Sequence, residues 1–374
     1  MSALRFENGR ILRPGGFDTA PLTVAGGRIA SAATAADATI DLDGGWLVPG
    51  FIDTQVNGGG GRLFNDDPSV ETIAAIGAAH LPFGTTAFLP TLISDDLDKV
   101  DAAMRAVERA IAAGVPGVVG IHLEGPFLSP ARKGTHDPAH FRRIDPAALR
   151  LLTGLRYGRT LVTLAPELCT PDDIRTLAAA GVIVAAGHSD ADHATARDAF
   201  AAGVTGVTHL FNAMSPLGHR APGLVGATLD DARVYAGLIA DGRHVDPVAL
   251  RIAVRARPVD RFLLVTDAMP TVGSADKQFM LQGRPIRAID GACVGPDGTL
   301  AGSDLDMAAA VRNMVAMTGI DLAAAAGMAG AAPAAFLGLA DRGRIEDGAR
   351  ADLVWLDAAL AVRGVWIAGE RRAG

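Results

Sequence analysis

Short runs of apolar, β-branched residues alternate with Ala-rich segments of helical pattern through the middle of the chain. The apolar runs include residues 118–121, 182–185, 204–207 and 262–265, and each has the composition of a buried strand. The Ala-rich segments predict helices over residues 73–80, 97–113, 171–180, 192–202, 247–255 and 307–317. Strands and helices that alternate over this length predict an α/β architecture with a parallel sheet.

Acidic and imidazole side chains stand where four of the apolar runs end. HLEGP contains Glu124, GHSD contains His188, THLFNAM contains His209 and LVTDAM contains Asp267. In an eight-stranded parallel barrel, the carboxyl ends of the strands converge on one face, where catalytic groups collect. The pattern therefore favours a (β/α)8 barrel with its functional site at that face.

An open, doubly wound sheet is the competing fold, and it usually carries a Gly-rich nucleotide-binding fingerprint. Gly58–Gly61 follows an apolar strand, but these four glycines lack the GxGxxG spacing and no acidic residue is placed for a ribose. We therefore interpret them as a turn at the barrel mouth.

Both ends of the chain differ from the middle, because they contain short strand patterns separated by Gly turns. Residues 1–50 contain the turn signals Asn8-Gly9 and Gly26-Gly27, which predict hairpins. Residues 345–374 show the same kind of short strand pattern. Each end is too short for a separate domain of the usual size. We expect the two ends to pair as one small β module beside a catalytic domain of residues 51–344.

Composition narrows the class of protein. The 374 residues are 49% hydrophobic and 20% charged, which suits a sizeable core, and the formal charge of −7 argues against non-specific nucleic-acid binding. The two cysteines, Cys169 and Cys293, cannot form a disulfide framework, so a reducing compartment is favoured. The amino terminus has no signal-peptide pattern, and we expect a cytoplasmic protein.

One uncharged stretch, Leu322–Ala340, is long enough to be a membrane candidate. It is weakly hydrophobic because it consists mostly of Ala and Gly. Two packed helices, with Pro333 at the start of the second, explain it better, and no membrane association is expected.

Glu124, His188 and His209 are a candidate catalytic metal site. Two imidazoles and a carboxylate form a three-ligand set that leaves a coordination position for water. Asp267 would be the unligated carboxylate that moves protons, although an acid there could also cap a following helix. His122 is either a further ligand or, more often for a buried histidine, a hydrogen-bonded structural residue. The remaining structural candidates are His80, His140, His193 and His219.

Several longer motifs resemble the N-acetylglucosamine-6-phosphate deacetylases of the amidohydrolase superfamily. They are PGFIDTQVNGGGG at 49–61, HLEGPFLSPARKGTH at 122–136, TLAPE, GHSDA, THLFNAM, APGLVGA, IADGRHVD, LVTDAM and LAGSDLDM. The similarity runs in order across nearly the whole chain. It implies a distorted TIM barrel with a small β-sandwich built from both termini, and a homodimer.

The resemblance also implies roles for individual residues. Glu124, His188 and His209 would hold the metal, Asp267 would be the catalytic acid–base, and His136 would polarise the acetyl carbonyl. The residues that would bind the sugar phosphate are Thr135, His136, Asn212, Ala213, Arg220, His244 and the loop Leu300-Ala301-Gly302. The implied reaction converts N-acetyl-D-glucosamine 6-phosphate to glucosamine 6-phosphate and acetate, in amino-sugar catabolism.

The number of metal ions depends on the residues after PGFID. Many superfamily members have His-x-His there and build a second metal site, whereas this chain has Gln55-Val56-Asn57. Amides are poor ligands for zinc or iron beside imidazole and carboxylate. The sequence therefore predicts one divalent ion per chain, zinc or iron, with manganese, cobalt or cadmium as other candidates.

Three functions stay open at this point. The first is deacetylation of N-acetylglucosamine 6-phosphate, and the second is hydrolysis of another acyl amide, such as N-acetylgalactosamine 6-phosphate or a cyclic ureide. Asn212, Arg220 and His244 favour a phosphorylated sugar over a ureide. The third is a non-catalytic barrel, which would most readily have lost Asp267 or a metal ligand.

Overall fold

The computed structural model describes residues 3–31 and 34–374. Its centre is an eight-stranded parallel sheet in which each strand pairs with the next one along the chain. The first and last strands meet through the parallel bridge Val56–Ala268, so the sheet closes into a near-barrel. The predicted distorted TIM barrel is confirmed. Its strands are Phe51–Val56, Thr85–Ile93, Gly120–Glu124, Arg159–Leu164, Ile183–Ala186, Val204–Val207, Tyr235–Leu238 and Phe262–Leu264.

Helices surround this barrel and follow the Ala-rich segments of the sequence. Within the described ranges they are Val70–His80, Leu97–Ala112, Pro146–Leu152, Pro171–Ala179, His193–Ala202, Gly223–Asp230, Pro247–Ala256, Met307–Thr318, Leu322–Ala329 and Ala331–Leu337. Side-chain caps fix many of the helix starts. Thr170 and Asp173 form a reciprocal capping box, and Asp246 caps a helix that begins with proline.

The helix predicted over residues 192–202 begins at His193, with Asp192 as its cap. The residues before it, Ser189 and Asp190, stay outside the helix. Ser189 and the backbone N–H of Asp190 both donate hydrogen bonds to Glu167, at 2.6 and 2.7 Å, so they are held by a neighbouring loop.

Strands from both ends of the chain form two further sheets. A four-stranded sheet contains Arg28–Ala30, Leu22–Ala25, Leu4–Glu7 and Ala38–Asp41. A six-stranded sheet contains Glu370–Ala373, Val362–Ile367, Leu353–Leu356, Trp46–Pro49, Arg10–Arg13 and Gly16–Asp18. A core separate from the barrel lies in this module, and in it the rings of Phe6 and Trp366 meet edge to face at 5.0 Å. The domain boundaries at residues 50 and 345 stay a prediction.

The two predicted turns of the amino-terminal segment have different outcomes. Gly26-Gly27 joins Leu22–Ala25 to Arg28–Ala30 in a hairpin, with φ values of 59° and 79° that favour glycine. The Asn8-Gly9 hairpin is wrong, because the strands on its two sides belong to different sheets. A side chain on Gly9 would lie 2.6 Å from Leu42, so this glycine allows a close crossing between the sheets.

The sequence analysis does not predict the four-stranded antiparallel sheet that is inserted after the eighth barrel strand. Its strands are Gln278–Leu281, Arg284–Ile289, Ala292–Val294 and Leu300–Ser303. Two tight turns with left-handed residues, Gln282-Gly283 and Asp290-Gly291, connect the first three strands. The expected loop Leu300-Ala301-Gly302 is therefore a strand, paired with Ala292–Val294. We call these four strands the roof sheet, because Leu281 and Ala301 in it pack on residues of the barrel mouth.

Two smaller predictions are confirmed. Gly58–Gly59 and Arg62–Leu63 form a short hairpin, so the four glycines make a turn. The uncharged stretch forms two helices, Leu322–Ala329 and Ala331–Leu337, with Pro333 in the first turn of the second. Among the described residues, we find no helix of the length and hydropathy needed to cross a bilayer.

Candidate active site

Four candidate residues lie at the carboxyl ends of barrel strands, as expected. Glu124 is the last residue of the third strand, and His188, His209 and Asp267 come two or three residues after the fifth, sixth and eighth. These last three have φ values of 46°, 31° and 52°. Left-handed backbone is uncommon for residues other than glycine and is concentrated at functional sites. The sharp turns point all four buried side chains into the barrel mouth.

Three of these side chains converge on one point. Nε2 of His209 lies 3.0 Å from Oε1 of Glu124, and Nε2 of His188 lies 3.3 Å from the same oxygen. The two Nε2 atoms are 3.1 Å apart. Atoms that hold zinc at 2.0–2.1 Å in a tetrahedron lie about 3.3 Å from one another. The spacing of these three atoms therefore fits a metal ion.

Hydrogen bonding also leaves the imidazole of His188 ready to bind a cation. Nδ1 of His188 lies 2.9 Å from the carbonyl oxygen of Arg132, which can only accept, so this nitrogen carries the ring proton. Nε2 of the neutral ring then presents a lone pair to the other ligand atoms. Lone pairs and a carboxylate oxygen at this distance repel one another unless a cation or a proton lies between them.

The electrostatics favour the ionised form of Glu124. Burial would raise the pKa of this carboxyl, but the adjacent imidazoles of His188 and His209 hold that pKa well below its usual value. Burial would likewise lower the pKa of His209, and the hydrogen bond and charge of Glu124 raise it instead. A carboxylate is the form of Glu124 that binds a metal.

Asp267 faces this cluster and is held by two amides. Nδ2 of Asn57 donates to Oδ1 of Asp267 at 2.6 Å, and Nε2 of Gln55 donates to Oδ1 of Asp267 at 3.2 Å and to Oε1 of Glu124 at 3.1 Å. Burial and the charge of Glu124 raise the pKa of Asp267. Asp267 caps no α-helix, since the next one in this fully described part of the chain begins at Met307.

His136 reaches the site from the loop after the third strand. The backbone N–H of Ser94 donates to Nδ1 of His136 at 3.4 Å, so Nδ1 is an acceptor and Nε2 carries the proton. Nε2 points into the site, 3.9 Å from Oε2 of Glu124. Burial lowers the pKa of His136 to about 3, so the ring is neutral near pH 7 and offers one N–H donor to the cavity.

A cavity of about 450 Å³ lies over these groups. The expected substrate-binding residues that line it are Thr135, His136, Asn212, Ala213, His244, Leu300, Ala301 and Gly302. Nδ1 of His244 lies 2.5 Å from a carboxylate oxygen of Asp241, which orients the ring. Arg220 is the exception, because it is exposed and does not line this cavity.

Two other buried histidines, His122 and His80, make contacts that suit structural roles. His122 lies inside the barrel, 3.2 Å from Oγ1 of Thr91 and 2.8 Å from Oγ1 of Thr163. His80 is buried with Nε2 2.9 Å from the carbonyl oxygen of Gly58. These contacts agree with the structural interpretation of both residues.

Sequence reasoning missed several residues around the cavity. Gln282 and Arg284 of the roof sheet hold the loop that carries His136, since Gln282 accepts from the N–H of Asp137 at 3.1 Å and Arg284 donates to the carbonyl of Thr135 at 2.6 Å. Ile93, Met269 and Leu281 line one side of the cavity. The available signals were the two-residue turns of the roof sheet, which predict hairpins but do not say where they dock.

The chain is similar to known proteins over most of its length. A model of the amidohydrolase family matches residues 46–372. The N-acetylgalactosamine-6-phosphate deacetylase of Shewanella sp. (strain ANA-3) is 47% identical over 88% of this chain and 84% of its own. The N-acetylglucosamine-6-phosphate deacetylase of Bos taurus is 40% identical over 98% of this chain and 95% of its own. The crystal structure of the N-acetylglucosamine-6-phosphate deacetylase from Pasteurella multocida superimposes with a TM-score of 0.95 at 34% identity, covering 100% of both chains.

Proposed function

Because the chain belongs to the amidohydrolase family, we propose that it removes the acetyl group from N-acetyl-D-glucosamine 6-phosphate, giving glucosamine 6-phosphate and acetate. The observation that carries the proposal is the convergence of Glu124, His188 and His209 on one point beside Asp267. This is the arrangement that metal-assisted amide hydrolysis needs. The reaction belongs to amino-sugar catabolism.

We assign the metal site to Glu124, His188 and His209, in a family that depends on a metal for hydrolysis. A divalent ion supplies Lewis acidity to a carbonyl and lowers the pKa of water to about 7. We propose one ion per chain, zinc or iron, with manganese, cobalt or cadmium as other candidates. Gln55 and Asn57 support the single ion, because their N–H groups donate to the carboxylates of Asp267 and Glu124, and an amide N–H cannot bind a cation.

Asp267 is the proposed acid–base. Its carboxylate takes a proton from the attacking water as the bond from oxygen to the acetyl carbon forms. It then returns that proton to the amide nitrogen as the C–N bond breaks, so the amine leaves neutral. The raised pKa of Asp267 brings the group closer to the working pH, which is where one side chain serves best in both directions.

His136 and the cavity lining complete the assignment. We propose that the Nε2–H of His136 donates to the acetyl carbonyl oxygen, where negative charge develops. Thr135, Asn212, Ala213, His244 and the strand Leu300-Ala301-Gly302 would bind the sugar phosphate, together with Arg220. Arg220 forms no ion pair among the described residues, so its guanidinium is free to move toward an anion.

The decisive assay measures acetate release from four substrates, the N-acetylated gluco- and galactosamines with and without the 6-phosphate. We expect turnover of the phosphorylated sugars, with the gluco epimer preferred. The galacto epimer belongs in the assay because the Shewanella relative is named for it. Absence of acetate release from every hexosamine 6-phosphate would refute the proposal. The homodimer and the cytoplasmic location stay predictions, which light scattering and cell fractionation test.

A further inference from the structure

One side of the cavity is a continuous apolar surface. It consists of Ile93 at the end of the second barrel strand, Met269 two residues after Asp267, and Leu281 in the roof sheet. Their side chains are only 5%, 3% and 0% exposed. All three belong to one hydrophobic cluster between the barrel mouth and the roof sheet, and we call these three residues the wall.

Ile93 of the wall lies across the site from two of the residues assigned to the sugar phosphate. Asn212 and His244 follow the sixth and seventh strands, whereas Ile93 ends the second, and strands far apart in the order face each other across a barrel. Ile93 also adjoins Ser94, whose hydroxyl lies 2.8 Å from Nδ1 of His136. An amide whose carbonyl oxygen meets His136 and whose sugar lies toward His244 therefore directs its alkyl group toward Ile93, and Met269 and Leu281 pack with Ile93 in the same cluster.

Three contacts hold the wall in place. A side chain on Gly302 would lie 2.6 Å from Cγ of Met269, so Met269 packs directly against the roof-sheet backbone. The N–H of Met269 also donates to the carbonyl of Ser303 at 3.0 Å. Behind Leu281, Gln282 donates to the carbonyl of Ser94 at 3.2 Å and ties the roof sheet to the second barrel strand. Such close packing resists added volume.

From these contacts we infer that Ile93, Met269 and Leu281 bind the methyl group of the substrate's acetyl and set the length of acyl chain that the enzyme hydrolyses. The inference rests on the proposed deacetylase function and adds specificity determinants to it. An acetyl group ends at the wall, whereas a propionyl or butyryl group must displace it. Each methylene in a hydrophobic pocket changes discrimination by about 10–200-fold.

The test compares kcat/KM for glucosamine 6-phosphate acylated with acetyl, propionyl or butyryl groups. The variants are Met269→Ala and the milder Ile93→Val, which removes one methyl group and keeps the strand. Ile286→Ala is the matched control, because Ile286 is 1% exposed in the same cluster but does not line the cavity. It loosens the cluster without enlarging the site.

We expect the wild type to prefer acetyl over butyryl by at least about tenfold, and Met269→Ala to raise the butyryl-to-acetyl ratio by about tenfold or more. Ile93→Val should raise the propionyl-to-acetyl ratio, and Ile286→Ala should lower the melting temperature while leaving both ratios unchanged. The inference is wrong if Met269→Ala and Ile93→Val are active but keep the wild-type ratios. It is also wrong if Ile286→Ala changes the ratios as much as these two variants do. Failure of the wild type on every acyl sugar phosphate would instead refute the proposed function.

Discussion

Asn57 donates a hydrogen bond to Asp267 over 2.6 Å, so a residue that follows the first barrel strand holds the proposed acid–base, which follows the last one. Gln55, two residues earlier and on the same face, donates to Asp267 and Glu124 together. At the two positions where a His-x-His pattern would build a second metal site, this chain therefore has two amide donors that orient carboxylates. These amides lead to the first prediction.

We expect one tightly held metal ion per chain. Elemental analysis of the purified protein measures it, and His188→Ala or His209→Ala should lose most of the metal together with the activity. His140→Ala is the control, since His140 belongs to a more exposed group with Asp95 and Asp96, in which Lys99 already pairs with Asp95 at 2.8 Å. Two tightly held ions per subunit would contradict the prediction.

Asp267→Asn should separate catalysis from binding. The amide keeps the shape of the carboxylate but cannot accept a proton, so kcat should fall by a factor of about 10²–10⁴. Metal content and binding of the sugar phosphate should remain, because Asp267 is not one of the three converging ligands. Metal analysis, calorimetric titration and kcat on one preparation check this. A variant with near-normal turnover would overturn the assigned role.

His244→Ala and Arg220→Ala should weaken the use of the phosphorylated sugar far more than any use of the unphosphorylated one. Loss of a charge-assisted contact costs about 1.5–3 kcal/mol, or one to two decades in kcat/KM. Arg243→Ala is a suitable control, because Arg243 adjoins His244 but pairs with Asp290 at the surface. Equal losses on both substrates would show that neither residue binds the phosphate.

Gln282→Ala should lower kcat with little change in KM. The side chain joins the backbone of Ser94 to that of Asp137, on either side of the contact between Ser94 and His136. Two neutral hydrogen bonds are worth about 0.5–1.5 kcal/mol each, which predicts a loss of about tenfold if they serve to orient His136. Gln278→Ala, at an exposed position of the strand that precedes Gln282, should leave kcat unchanged. Unaltered kcat in Gln282→Ala would rule out this positioning role.

Buried His80 should make the folded state sensitive to acid. Burial lowers its pKa from 6.5 to about 4, so the unfolded chain binds its proton first. The free energy of unfolding is therefore unaffected by titration of His80 above pH 6.5. It falls by roughly 3 kcal/mol as the pH drops toward 4, because the unfolded chain then binds a proton that the folded state excludes. Urea titrations at pH 7 and pH 4.5 should show a smaller drop for His80→Gln than for the wild type. The exposed His219→Gln should match the wild type, and identical drops in all three proteins would contradict the assignment.

The residues that sequence reasoning found are those whose signal is local. Glu124, His188, His209 and Asp267 interrupt apolar runs, so a polar group at the end of a strand is visible in the sequence itself. The paired termini were visible for the same reason, through short strand patterns at both ends.

The residues that were missed depend on contacts between distant segments. Gln282 is 188 positions from Ser94, and nothing in either segment indicates that they meet. Asn8 does adopt a left-handed turn conformation, with φ 57°, so its local chemistry was correctly interpreted. The strand after Gly9 nevertheless joins another sheet, because Gly9 packs closely against Leu42 where the two sheets cross. Turn residues do not encode which strand a neighbouring strand pairs with.

The first and eighth barrel strands meet beside the proposed acid–base, Asp267, so turnover should depend on whether the ring of strands is closed. The N–H of Asp267 donates to the carbonyl of Gln55 at 3.0 Å, and the N–H of Asn57 donates to that of Ala268 at 2.9 Å. Any fluctuation that parts this seam separates Asp267 from Glu124 while the other seven strand pairings stay intact. During gradual denaturation, turnover should therefore disappear before helical circular dichroism does, and a loss of both signals at one denaturant concentration would mean that the seam opens only on global unfolding.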